Sequence, residues 1–418
     1  MMISPWRYFE RRCEWIALLL LTACFFVSTV SVTLTTITYL SAFLFVLLSG
    51  DWHARWQRIK NNKAAMSFWV LAALFMVGVI YSTSTKQHVL TDLSKHHWLL
   101  MTPFFMMIVT SDVWRQRMIN AFLCAMVITL CFSFLKCCSP IYLTHLLRLP
   151  KVHADTSILS VFVNHIIQSF AMNLAAFICG YRCLFQKKGR IVYGILLVLM
   201  TANIIFMSEG RTGYLIFILL LLYLSVIRFG WKGILIAGFS SVLLMTAAFF
   251  ASSHFQSRMK SVYQHYQQYD QIHYPTSVGQ RIEMWDIAKR MIRERPWFGY
   301  GTGGIRTAMP LVVPEKNRQL NPVLDYVESI YLNFLLEFGV FGFVILLIAF
   351  AIQIRVSFQL PPVYRALMQA VLIAVLFGGV FNAFLVSFPI AHFYAIFSAV
   401  CFSAYNRNFH TVKIKELL

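Results

Sequence analysis

Twelve apolar runs recur along the 418-residue chain, near 15–32, 34–50, 64–83, 97–110, 119–138, 158–181, 191–207, 212–227, 233–251, 329–354, 366–385 and 388–404. A helix crossing a bilayer needs about 20 predominantly apolar residues, and lipid offers the backbone no hydrogen-bond partners. Runs of this length therefore predict an all-α polytopic membrane protein with about twelve transmembrane helices. The fourth run is short and carries Pro103, so its ends are the least defined. Composition agrees. Apolar residues make up 59% of the chain and charged ones 12%, against roughly 25% charged in a soluble domain. A soluble enzyme, a disordered chain and a secreted disulfide scaffold are excluded, and no nucleic-acid partner is expected.

Arg7, Arg11 and Arg12 precede the first run, and Leu21-Thr22-Ala23-Cys24 imitates a lipoprotein cleavage box. The apolar run continues past Cys24, which predicts an uncleaved first helix. The nine cysteines lie in or beside apolar runs with no repeated C-x-x-C spacing, and read as small packed hydrophobes. The histidines, His165 included, form no H-x-x-x-H helix pair, so no metal site is expected.

The cations orient the chain. Of 36 Lys and Arg, twenty fall at the termini and in the short loops of one side, six in the short loops opposite, and ten in the polar stretch 252–327. Short loops obey the positive-inside rule, whereas a long one translocates regardless of its charge. Both termini are thus expected in the cytoplasm and 252–327 outside. The expected organisation is nine N-terminal transmembrane helices over 1–251, an external, partly helical loop domain over 252–327, and three C-terminal helices with a cytoplasmic tail over 328–418.

Within the outer stretch, Ser277-Val278-Gly279-Gln280 has capping-box spacing. Met284, Trp285, Ala288, Met291 and Ile292 then mark one helical face, and Glu283, Lys289, Arg290, Arg293 and Glu294 the other. Pro296 ends the helix, and Gly299–Gly304 reads as a flexible turn. Arg281 is expected in the first turn, where free N–H groups favour an anion. It reads either as a forked phosphate donor or as the partner of a lipid headgroup or Glu283.

A second cation, Arg211, sits in the tight turn Ser208-Glu209-Gly210-Arg211-Thr212-Gly213-Tyr214, expected on the same face. It reads as a positioned ligand group or as a snorkelling Arg neutralised by Glu209. At the mouth of the tenth span, Glu328 reads as a general base or, with Asp325 at the N-cap, as a capping residue. Glu337, about 13 Å deeper at 1.5 Å per residue, must be protonated, hydrogen-bonded or paired.

Three stretches in order, S-E-G-R-T-G-Y, R-I-E-M-W-D-I-A-K-R-M-I-R-E-R-P-W-F-G-Y-G-T-G-G and Y-L-N-F-L-L-E-F-G-V-F-G, resemble the O-antigen ligase and polymerase superfamily of bacterial envelope glycosyltransferases. The resemblance covers roughly 190–355. It implies a twelve-span, GT-C-like inner-membrane enzyme that moves a glycan from undecaprenyl pyrophosphate to a lipid A-core sugar hydroxyl on the periplasmic face, without metal or other cofactor. The family's two pyrophosphate-binding arginines match Arg211 and Arg281. Ser208, Tyr331 and Glu337, in the same motifs, are expected at the substrate. Ligases of this family usually open the tenth span with His-Asn-x-Tyr-Leu. Here Glu328-Ser329-Ile330-Tyr331-Leu332 stands in that place, so the expected base is Glu328. The alternatives are a polymerase that extends the lipid-linked chain, a transferase acting on protein hydroxyls and, from another class, a lipid-linked sugar transporter or flippase.

Overall fold

A computed structural model describes residues 5–138, 160–207, 210–251, 256, 277–313 and 325–405. Helices carry nearly all of the described chain. In the first half they are α1 (Pro5–Val27), α2 (Val32–Leu48), α3 (Trp52–Asn61), α4 (Lys63–Ile80), α5 (Lys86–Lys95), α6 (His97–Ile108), α7 (Asp112–Cys138) and α8 (His165–Phe185). The second half adds α9 (Arg190–Ala202), continued by a wider turn over Asn203–Met207, then α10 (Arg211–Phe229) and α11 (Lys232–Ala251). The series closes with α12 (Ser277–Glu294), α13 (Gly304–Val312), α14 (Ile330–Ser357), α15 (Pro362–Gly378) and α16 (Phe388–Phe402).

Among the described residues, five helices are long and apolar enough to cross a membrane, and six if the pair α2 and α3, bent by 116°, is one span. Three shorter apolar helices, Lys232–Thr246, Pro362–Gly378 and Phe388–Phe402, accompany them. The chain is a polytopic helical membrane protein.

Local chemistry explains where the helices begin. Ser31 caps α2 by accepting from the Leu34 amide, and Asn62 caps α4 by accepting from Ala64 and Ala65. The Asn62 amide also donates to Phe402 O at 3.0 Å, tying the start of α4 to the end of α16. Around that end of the bundle, cations satisfy carbonyls that helix C-termini leave open. Arg58 donates to Met107 O at 3.1 Å, and Arg115 to Thr110 O and Ser403 O, both at 2.9 Å. Arg55 pairs with Glu14 at 2.8 Å. The N-termini of α10 and α14 lie at the opposite end.

The Gly-rich segment after Pro296 is a packed inlay, not the flexible turn expected. Helix α14 breaks at Gly339 (φ 62°, ψ −161°), and residues 296–301 supply the hydrogen bonds that the break removes. Val340 N donates to Pro296 O, Tyr300 N to Leu336 O and Gly301 N to Glu337 O, each at 2.8 Å. The segment also reaches α4, where Thr302 Oγ1 donates to Phe75 O at 2.6 Å. A Cβ on Gly339 would stand 2.2 Å from the Trp297 carbonyl carbon, and one on Gly301 2.5 Å from Ser82 Cα. Only glycine fits at either place, for conformation and for space.

The same inlay supports a small second core. Met284, Ile287, Ala288 and Met291 of α12 pack with Tyr300, Ile305 and Met309 against Leu336 of α14. The apolar face read from sequence is therefore the buried face of α12, while Lys289, Arg290, Arg293 and Glu294 are exposed. The side chains of Ser277 and Gln280 lie outside the described residues, so their capping box does too. Because α12 begins at Ser277, Arg281 is its fifth residue and stands just past the first turn expected for it.

Candidate active site

Three elements meet around one cavity of about 370 Å³. The N-terminus of α10 contributes Arg211, Thr212 and Leu215, the second turn of α12 contributes Arg281, Ile282 and Trp285, and the turn after α15 contributes Phe381. Both sequence-predicted arginines thus line the same space. Trp285 and Phe381 stack at 6.1 Å between centroids and 26° between planes, so one wall is aromatic while the cations sit on the others. Two guanidinium groups in one cavity repel each other, and an anion between them converts that repulsion into attraction.

The N-cap of α10 is Gly210, in extended backbone and without a side-chain cap bond. The first-turn amides beside Arg211 and Thr212 therefore add a partial positive charge to the cavity rim.

The turn after α15 departs from expectation. The apolar run 366–385 predicts a helix throughout, yet α15 ends at Gly378 and the chain turns over 379–387. Gly379 passes so close to the start of α14 that a Cβ there would lie 2.4 Å from Ile330 Cδ1, and its carbonyl accepts from Ile330 N at 2.8 Å. The turn carries Asn382, which is 2% exposed. Arg281 Nη2 donates to Asn382 Oδ1 at 3.3 Å. Asn382 Nδ2 in turn donates to Thr212 Oγ1 at 2.8 Å and to Gly378 O at 3.2 Å.

Glu328 stands beside this cluster, in the segment leading into α14. The cap of α14 is Ser329, whose side chain accepts from Leu332 N at 3.5 Å. Asp325, expected as the N-cap, pairs instead with Arg306. Glu328 is thereby released from the capping role. Burial raises its pKa above the ordinary carboxylate value, against the opposing pull of the Arg281 charge and a hydrogen bond from the Ala383 backbone. A half-buried carboxylate of raised pKa is a stronger base than a free one.

The remaining predicted residues are placed differently. Tyr331 does not line the cavity and donates to Leu376 O at 2.8 Å, joining α14 to α15. Glu337 does not line the cavity: it is buried under the glycine inlay, where Gly303 N donates to its Oε1 at 3.3 Å. Ser208 lies outside the described residues. Sequence reasoning missed Thr212, Phe381 and Asn382. The available signal for Asn382 was an amide inside an apolar run, shortly after the Gly378-Gly379 pair, since polar groups at membrane depth are costly without a role.

Residues 195–347 match the family model described as O-Antigen ligase. The chain carries an O-antigen ligase domain. That stretch places it with the O-antigen ligase and polymerase superfamily and spans Arg211, Arg281 and Glu328. Phe381 and Asn382 lie C-terminal to the ligase domain, so the cavity is completed from outside it. No curated protein matches the sequence.

Proposed function

We propose that the chain is a glycosyltransferase that takes a glycan from undecaprenyl pyrophosphate and passes it to a lipid A-core sugar hydroxyl at the periplasmic face of the inner membrane. The observation that carries this reading is the convergence of Arg211 and Arg281 on one cavity, within a chain that bears an O-antigen ligase domain. The reading includes twelve GT-C-like spans, cytoplasmic termini, and a periplasmic loop domain over 252–327.

The donor diphosphate binds between the two guanidinium groups, which hold charge where it grows as the glycosidic bond breaks. The aromatic wall of Trp285 and Phe381 accommodates the first part of the prenyl chain. The acceptor hydroxyl attacks the anomeric carbon from the face opposite the diphosphate. A new carbon–oxygen bond forms, the hydroxyl proton passes to Glu328, and the old bond's electron pair leaves with the diphosphate. One displacement inverts the configuration.

The lipopolysaccharide of a strain lacking the protein tests the reaction. A ligase predicts long polymer retained on the prenyl carrier and none on lipid A-core. Core bearing a single repeat would assign the chain to the polymerases. A normal ladder would remove it from this step altogether.

A further inference from the structure

The hydrogen bonds around Asn382 fix which way its amide faces. A guanidinium only donates, so the atom 3.3 Å from Arg281 Nη2 must be the amide oxygen. The Gly378 carbonyl only accepts, so the atom 3.2 Å from it must be the amide nitrogen. The same nitrogen then donates to Thr212 Oγ1 at 2.8 Å, which makes the Thr212 hydroxyl an acceptor there and leaves its own proton to give. Thr212 lines the cavity between the two arginines' elements. Asn382 is held in turn by the closely packed end of α15, where a Cβ at Gly378 would fall 2.4 Å from Phe384 Cε2 and one at Gly379 2.5 Å from Val375 O.

We infer that Asn382 is a positioning residue that sets Arg281 and Thr212 in register across the cavity, and that the Thr212 hydroxyl is a third hydrogen-bond donor to the diphosphate. This deepens the proposed reading and rests on the cavity taking a prenyl diphosphate. It also gives the turn after α15 a task that lies outside the ligase domain. Asn382 touches no reacting atom. Its effect is that two donors from separate helices meet one ligand at a fixed spacing, which matters for a diphosphate and little for a single phosphate.

The test measures binding of geranylgeranyl diphosphate and geranylgeranyl monophosphate to the purified full-length chain in detergent. The variants are Asn382→Ala, Thr212→Val, the double variant and Arg281→Ala. Thr212→Val keeps the shape and removes only the hydroxyl, so it survives as a test if Asn382→Ala fails to fold. Asn382→Ala and Thr212→Val are each expected to weaken diphosphate binding by about threefold to tenfold, the range for one lost hydrogen bond, and Arg281→Ala by more. Monophosphate binding is expected to hold within about twofold, and the double variant to lose no more than the Asn382→Ala variant, because the two groups act as one chain. Wild-type diphosphate affinity in Thr212→Val overturns the Thr212 donor. Equal loss for both ligands in Asn382→Ala overturns the positioning role, since a general structural defect does that. If wild-type protein and Arg281→Ala bind the diphosphate equally, the underlying reading fails instead, and this result is distinct from the other two.

Discussion

At the residue scale, the site is a set of cations and one carboxylate whose surroundings define their work. Arg281 has a neutral amide partner in Asn382 and a neighbouring charge in Glu328, so its own charge is only partly offset. Replacing Glu328 by Gln keeps the shape and removes the base, and is expected to lower glycan transfer by about 100-fold or more. Unchanged transfer would leave Glu328 without a part in the chemistry. Its raised pKa also sets a pH dependence. A base must be ionised, so transfer is expected to fall as pH drops through the Glu328 pKa, and that fall comes at a higher pH than for a free carboxylate. The pH profile of turnover in proteoliposomes measures it. An acid limb at or below the ordinary carboxylate value of 4.5 would contradict the assignment. The positions of Arg211, Arg281 and Glu328 at a short turn, a helix start and a span mouth were legible in the sequence because these are local features, while the roles proposed for them came from the family resemblance. Asn382 was not, because its importance comes from contacts 101 and 170 positions away in the chain.

At the element scale, the central device is the broken helix α14 and the strap of chain that mends it. The sequence reads Gly299–Gly304 as a flexible turn and carries the tenth span unbroken through Gly339. The structure shows that they answer each other: left-handed residues Gly299, Gly301 and Gly303 bring the strap's amides onto carbonyls of α14 that the kink has freed. Gly339→Ala is expected to destabilise the fold by about 2 kcal/mol or more, from the positive φ together with the clash against Trp297. Thermal unfolding in detergent checks it, and a melting temperature equal to wild type would show that the close approach is not obligatory. The end of α15 makes the same point. Hydrophobicity carried the predicted span to residue 385, but the Gly378-Gly379 pair allows the chain to turn early and bring Asn382 to Arg281.

At the scale of the whole molecule, the two ends of the bundle differ in kind. One end gathers Arg55, Arg58 and Arg115 onto carboxylates and helix carbonyls. The other end holds Arg211 and Arg281 around a cavity. The positive-inside reading assigns the first end to the cytoplasm. A green fluorescent protein fused after Leu418 is then expected to fluoresce and an alkaline phosphatase fused there to be inactive, with the reverse pattern for fusions after Lys289. The opposite pattern would invert the molecule and place the cavity on the wrong face for a periplasmic acceptor. The helical, membrane-spanning class was legible from apolar runs alone, since lipid leaves the backbone no alternative. The meeting of α10, α12 and the turn after α15 was not, because helix packing depends on side-chain shape across distant segments.

The most direct test of the central claim is glycan transfer from a prenyl-diphosphate donor by membranes carrying Arg211→Ala, Arg281→Ala or both, at matched protein levels. Two guanidinium groups that share one diphosphate predict a loss of about 100-fold or more for each single variant, and a double variant little worse than either. Near-normal transfer by either single variant would contradict the shared grip on the diphosphate.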